Sequence, residues 1–392
     1  MIKRLAYISI LLLAALSCVY PYDAHLTSSD EFIPVFDGSI IIGDKATLTV
    51  SKMVELDGDY SKGLSGNNAV SFTWWVEDET GKKYIPSAAS PSEVSLASAD
   101  ASRQYKIHAE VAGKTYESAI QTVPDSPVID DITFWADETR VYVGASVSEN
   151  SGSTGYIAFT YDETWEFHVD YIPDYDIDPY SLEFKNIMVE DEKVGNYYCW
   201  KHNGSLSDKV ADVSIIDGSI KSYPFHSFAR TDNRNHRKYS INVFVRYISE
   251  DEYRFRKHLD QQKEGGNDLF NPNPGEMVGN VACTDDPRQR VLGYVSVSQA
   301  ASKRVYLDNQ YYIAKELNDA YLIIVPPEEY SDYYNNGYRP IKQIVDFEGN
   351  IGIGWGPLRC IDCTYDGGTL ERPDFWEGSS GGDHHKPGEA EK

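Results

Sequence analysis

The residues best suited to chemistry are cysteines, and the first of the five is Cys18. It closes the segment Ala15-Leu16-Ser17-Cys18, behind basic Lys3 and Arg4 and an apolar run from Leu5 to Leu16. A small residue directly before a cysteine at such a point is where a bacterial lipoprotein signal is cut, the thiol then being acylated at the new N-terminus. The position three before the cysteine, usually Leu, Val or Ile, is Ala15. The alternative is an ordinary signal peptide cut nearby. The apolar run is too short to span a bilayer, and nothing later in the chain approaches the roughly 20 apolar residues that spanning needs. Acyl chains on Cys18 are therefore the expected anchor, since several chains hold where one does not.

Cys199, Cys283, Cys360 and Cys363 remain, an even number in an exported chain, which points to structural disulfides. Three connectivities are possible; the expected one is Cys199 with Cys283 and Cys360 with Cys363. A redox role for Cys360-Ile-Asp-Cys363 lacks the surrounding βαβ pattern. A zinc site would need a second close pair.

Other constellations are weaker. Asp174, Asp176 and Asp178 alternate as in a calcium loop, but the sixth and twelfth places hold Pro179 and Lys185, which excludes an EF-hand and leaves a looser calcium site or a solvated loop. Tyr330, Tyr333, Tyr334 and Tyr338 lie in a segment with Asn and Asp, as either a stacking platform for sugar or peptide or a loop packed on its own sheet. Trp355 and Trp376 carry the same two readings. Arg230, Arg234 and Arg237 either steer an acidic ligand or pair with local carboxylates, and pairing is expected. The nine histidines are scattered. Neither a nucleophile elbow, a zinc-protease motif, a phosphate loop nor a dinucleotide glycine set occurs, so no catalytic residue is nominated and no cofactor is expected.

The balance of 36 basic against 61 acidic residues gives a net charge of −25, which repels nucleic acid and anionic lipid. Tyr outnumbers Phe, 29 to 14, which suits half-buried β faces whose rings pack while their hydroxyls stay wet.

The elements that position these residues are strands. Between Phe32 and Val123 short apolar runs (Ser39 to Ile42, Ala46 to Val50, Val70 to Val76, Gln104 to Val111, Lys114 to Ser118) alternate with turn signals, predicting an immunoglobulin-like β-sandwich. The best-specified unit is Arg237 to Leu307. Its strand Tyr239 to Ile248 runs into a helix with Ser249 as N-cap, Glu252 completing a capping box, Ile248 and Tyr253 at the staple positions, and Gly265 and Gly266 as the stop. A Pro-rich turn, Leu269 to Gly275, and strands at Met277 to Ala282 and Val291 to Ser298 follow. The fold is thus expected to be mainly β: signal and acylated cysteine over 1–18, tether over 19–30, sandwich over 31–124, and a larger antiparallel β domain with one short helix near 250–264 over 125–350. A Cys-x-x-Cys segment over 351–376 and a disordered tail over 377–392 complete the chain. A weaker helix is expected at Pro327 to Tyr334.

Several stretches are similar to a lipoprotein family of the Bacteroidetes catalogued as domain of unknown function family 4249. They are Tyr239 to Leu259, Leu269-Phe-Asn-Pro-Asn-Pro274, Val278-Gly-Asn280, Val291-Leu-Gly-Tyr-Val-Ser-Val297, Cys199-Trp200, Lys303 to Tyr306, and Cys360 to Cys363 with Gly367-Gly368 and Arg372-Pro-Asp-Phe-Trp376. The resemblance implies an exported lipoprotein, often associated with TonB-dependent outer-membrane transporters, and no known reaction. The expected function is a non-enzymatic, lipid-anchored outer-membrane accessory or binding partner of such a transporter, surface-facing or periplasmic. The alternative is a free-standing adhesin or glycan- or peptide-binding lipoprotein. A hydrolase with an unrecognised site is a distant third.

Overall fold

The structure, a computed structural model, describes residues 32–53, 70–148, 155–187, 196–205, 207–213, 220–264, 279–313, 322–346 and 348–376. The signal segment with Cys18, the tether, the Pro-rich turn from Leu269 and the tail from Glu377 lie outside the described residues.

The protein is mainly β, in sheets that are antiparallel except for one parallel pairing, β1 with a strand from late in the chain. The first body is built on β1 (Pro34–Ile41), β2 (Lys45–Lys52), β3 (Phe72–Asp78), β4 (Lys83–Tyr84), β5 (Glu93–Ser95), β6 (Gln104–Val111), β7 (Lys114–Ser118) and β8 (Gln121–Thr122). In β1 and β2 every second side chain is buried: Phe36, Ile40, Ala46, Leu48 and Val50 turn inward while Asp37, Ser39, Thr47 and Thr49 turn outward. The inward set meets Trp74, Val76, Tyr105, Ile107, Ala109 and Tyr116 from the second sheet in one core, as period-two burial requires.

Two strands of this sandwich come from far along the chain. β18 (Val281–Cys283) pairs with β7, and β19 (Leu292–Ser298) pairs with β1 in parallel. Both strand-like runs were predicted, but as part of the larger domain; they complete the first body instead. Side-chain alternation tells which face of a strand is buried and says nothing of its partner. Gly293 is required here: it has φ +100°, and a Cβ on it would lie 1.8 Å from the Phe36 carbonyl oxygen.

The second body stacks two sheets. One holds β9 (Val128–Ala136), β10 (Arg140–Ser148) and β16 (Ile220–Ala229). The other holds β11 (Tyr156–His168), β14 (Tyr198–Gly204), β15 (Lys209–Asp212), β17 (Lys238–Tyr247) and β20 (Ala300–Asp308). The aromatic-rich stretch Tyr156–His168 is one continuous strand, β11. Ile157, Phe159, Trp165, Ile241, Val243 and Val245 face Val141, Val143, Phe225 and Phe228 across this core.

Helix α1 (Glu250–Glu264) begins where the sequence placed it. The Ser249 hydroxyl accepts from the Glu252 amide at 3.1 Å, and Tyr253 packs on Ile248. The Glu252 side chain does not complete the box; it is taken by Arg246 and Arg256.

A small third layer joins the hairpin β12 (Tyr175–Ile177) and β13 (Phe184–Asn186) to a sheet of β21 (Ile323–Ile324), β22 (Tyr338–Val345) and β23 (Ile351–Pro357), with helix α2 (Tyr330–Asn335) beside it. The β22–β23 hairpin crosses residue 350, so the boundary expected there falls inside one sheet.

Candidate functional site

The most developed polar centre was not nominated by the sequence. Glu163, in the middle of β11, is fully buried between the two sheets of the second body. Its Oε1 accepts from Arg234 Nε at 3.0 Å and Asn203 Nδ2 at 3.1 Å; its Oε2 accepts from Tyr239 OH at 2.8 Å and His226 Nε2 at 3.1 Å. Four donors fill the four acceptor positions of a carboxylate. Burial alone raises the affinity of this carboxyl for a proton. The His226 hydrogen bond and charge, the Arg234 charge and the Tyr239 hydroxyl outweigh it and hold the pKa down at about 2. Since an ionised carboxylate only accepts, His226 Nε2 carries the proton. The Arg234 guanidinium also lies 4.7 Å from the Trp165 ring and 2.9 Å from Asp232. A signal for this centre existed: Glu163 interrupts the inward series Ile157, Phe159, Trp165, Phe167 at period two.

A second centre lies at the other end of the same strand pair. Arg246 on β17 directs Nη2 to Asp208 at 2.5 Å and Glu252 at 2.9 Å, and Arg256 of α1 reaches the same two acids at 2.5 and 2.7 Å. Two cations and two anions thus dock the helix on the sheet.

Of the arginines nominated from sequence, Arg234 and Arg237 pair with carboxylates as expected, whereas Arg230 binds backbone carbonyls instead. Arg234 takes Glu163 and Asp232, Arg237 lies 3.5 Å from Glu166 and over the Tyr198 ring, and Arg230 donates to the carbonyls of Tyr311 and Asp137.

The cysteine pairing differs from expectation. Cys199 bonds Cys363, so neither expected pair, Cys199 with Cys283 or Cys360 with Cys363, forms. Cys199, on β14, sits in the second core, whereas Cys283, on β18, sits in the first, so those two never meet. Cys360 packs toward Leu322, Ile341 and Ile344, and Cys363 toward the second core, so the Cys-x-x-Cys residues face opposite ways. The disulfide pins the C-terminal segment to β14. Trp200 and Thr369 exchange backbone hydrogen bonds, both at 2.8 Å, and Asn196 Nδ2 donates to Asp362 at 3.0 Å. Gly368 passes so close that an added Cβ would stand 2.7 Å from Cys199 Cβ.

The tyrosine segment packs on its own sheet. Tyr330 stacks on Trp355 at 5.2 Å and meets Phe184 edge-on at 5.1 Å, Tyr333 meets Tyr338 at 5.4 Å, and Arg339 covers Tyr334 at 3.6 Å. Trp376 is buried beside Tyr306. In the acidic trio, Asp178 accepts from the amides of Tyr180 and Ser181, and Asp176 from that of Ile177. Among the described residues no three His, Cys, Asp or Glu side chains converge as a metal site, and no helix is long and apolar enough to cross a membrane.

Residues 19–304 match a family model described as Domain of unknown function (DUF4249). The chain belongs to that family. No curated protein matches it. The DUF4249 match takes in both polar centres and the strands of the two large bodies, save the last four residues of β20. Cys363, Gly368 and Trp376 lie beyond it, yet the disulfide ties them to β14 within it.

Proposed function

We propose that the protein is a lipid-anchored component of the outer membrane that acts by binding rather than by catalysis, as an accessory partner of a TonB-dependent transporter. The observation that carries the binding half is the saturation of Glu163. Among the described residues, the most deeply buried constellation resembling acid–base machinery, a carboxylate with His and Tyr, has each acceptor position filled from within the protein. The anchor half rests on the segment ending at Cys18 and on the resemblance of the chain to exported lipoproteins. Replacing Cys18 by Ser is expected to abolish incorporation of a labelled fatty acid and release the protein from the membrane fraction. The wild-type chain, captured from detergent-solubilised envelope, is expected to bring an outer-membrane barrel protein with it. An unmodified mature N-terminus, or capture without any barrel protein, overturns the proposal.

A second reading, a glycan-binding lipoprotein, is favoured by a polar cleft between the two large bodies. Tyr330, Tyr333, Tyr334 and Tyr338, the residues first suggested for that role, are engaged in packing elsewhere.

A further inference from the structure

The two large bodies are joined by a sharp corner: β19 ends at Ser298 in the first and β20 begins at Ala300 in the second. Each sheet beside this corner turns its apolar side into its own core, so the sides that face each other are polar. Between them lies a cavity of about 370 Å³, within the range of small-ligand sites. One wall is the outward face of β1 and β2, with Asp37, Ser39, Thr47 and Thr49. The other includes Thr160 of β11 and its cross-strand partner Phe244 of β17, with Arg246 two residues further along β17.

Arg246 gives the cavity a second, independent mark. Its side chain is 7% exposed, both acids engage Nη2, and Nη1 is buried without an acceptor. Buried donors are rarely left so.

The lining selects a chemical class. Hydroxyls of Ser and Thr both donate and accept, Asp37 and Asp44 only accept, and Arg246 only donates. Phe244 adds a half-buried ring. Such a wall matches a molecule whose polar groups are themselves donors and acceptors and whose ring has an apolar C–H face. An anion fits worse: Asp37, Asp44 and Asp208 outnumber Arg246 and Arg256, and Asp208 already bridges the two arginines. A peptide adding as a strand needs a free sheet edge, and β1, β2, β11 and β17 are all flanked on both sides.

We propose that this cleft binds a neutral saccharide, with Phe244 against a sugar face and Asp37, Thr47, Thr49, Thr160 and Arg246 on its hydroxyls. The proposal rests on the glycan-binding reading and gives it a location; it is independent of the transporter partnership.

The test uses the full chain, purified in a detergent without a sugar headgroup. It is screened on an array of neutral glycans, then titrated calorimetrically with the strongest hit and with inorganic phosphate. A neutral oligosaccharide is expected to bind, and Phe244→Ala and Thr49→Trp are each expected to weaken it about tenfold or more, with Tyr333→Ala unchanged. Should Phe244→Ala fail to fold, Thr49→Trp, at an exposed site, carries the test alone. No neutral glycan bound, or phosphate bound in its place, overturns both the site and the glycan reading. Glycan binding that survives both cleft variants, or is lost in Tyr333→Ala, overturns the site and leaves the reading standing.

Discussion

Two polar centres sit on one strand pair, β11 with β17, and they handle buried charge in opposite ways. Around Glu163 a single carboxylate in the core is neutralised mostly by hydrogen-bond donors from four different elements: β14, β16, the turn at Arg234, and β17. Around Arg246, outside the core, two arginines and two acids share their bonds reciprocally. The first has little redundancy, because all four donors meet on the same two oxygens and, of the four, Arg234 alone has a second carboxylate, Asp232. The second is redundant, because Arg256 touches both acids that Arg246 touches. Breaking the two is therefore expected to cost different amounts.

The largest effect is expected at Glu163. Glu163→Leu keeps the volume apolar but takes the acceptor from the fully buried Tyr239 hydroxyl and from His226 Nε2, and leaves Arg234 with Asp232 as its carboxylate. Removing one partner of a buried ionic network costs roughly 3–5 kcal/mol, to be read as a lower midpoint in urea unfolding.

The same centre gives a pH signature. The Glu163 pKa in the fold, about 2, lies below the ordinary 4.5. A depressed carboxyl contributes its stability in full above the unfolded value and loses it as pH falls toward the folded one. The window is therefore about 4.5 down to about 2, and the loss is roughly 3 kcal/mol. Asp78, also held at about 2 after its bonds to Thr80 and Arg103 overcome burial, titrates in the same window. The difference between wild type and Glu163→Gln isolates the Glu163 share: the variant is expected to be less stable at neutral pH and to lose less on acidification.

Arg246→Met comes next, at roughly 2–3 kcal/mol. Arg256 stays within reach of Asp208 and Glu252, so neither acid is left bare. A cost equal to that of Glu163→Leu would remove the distinction between the centres.

How legible these centres were in the sequence follows from their geometry. Strands whose partners are near in sequence were placed well: Gln104–Val111 and Lys114–Ser118 have the bounds expected of them, and the Ser249 cap and the Ile248–Tyr253 staple formed. All of these rest on contacts a few residues apart or on alternation along one strand. The return of β18 and β19 to the first body, the Cys199–Cys363 bond across 164 residues and the assembly around Glu163 depend on long-range pairing, which leaves no local pattern. Glu252 shows the two levels in competition. Its position fitted the capping box, but buried Arg246 and half-buried Arg256 offered a charged partner where the box offered one amide, and the arginines took it.

The smallest effect provides the control. Arg254 and Glu250 form an i,i+4 pair on α1, with side chains 72% and 51% exposed. Arg256 and Glu252 form the same spacing two residues on, with side chains 16% and 2% exposed. Sequence alone makes the pairs equivalent; burial does not. In water the attraction of the first pair is screened and offset by the entropy of holding two long side chains, so Arg254→Ala is expected to cost less than about 0.5 kcal/mol. Arg256→Ala removes the charge on which Arg246 relies to share two acids, and should cost several times as much. Measuring both by urea unfolding sharpens the comparison between the centres, since equal costs would mean that the helix is held by its own propensity and that the second centre contributes little to docking it.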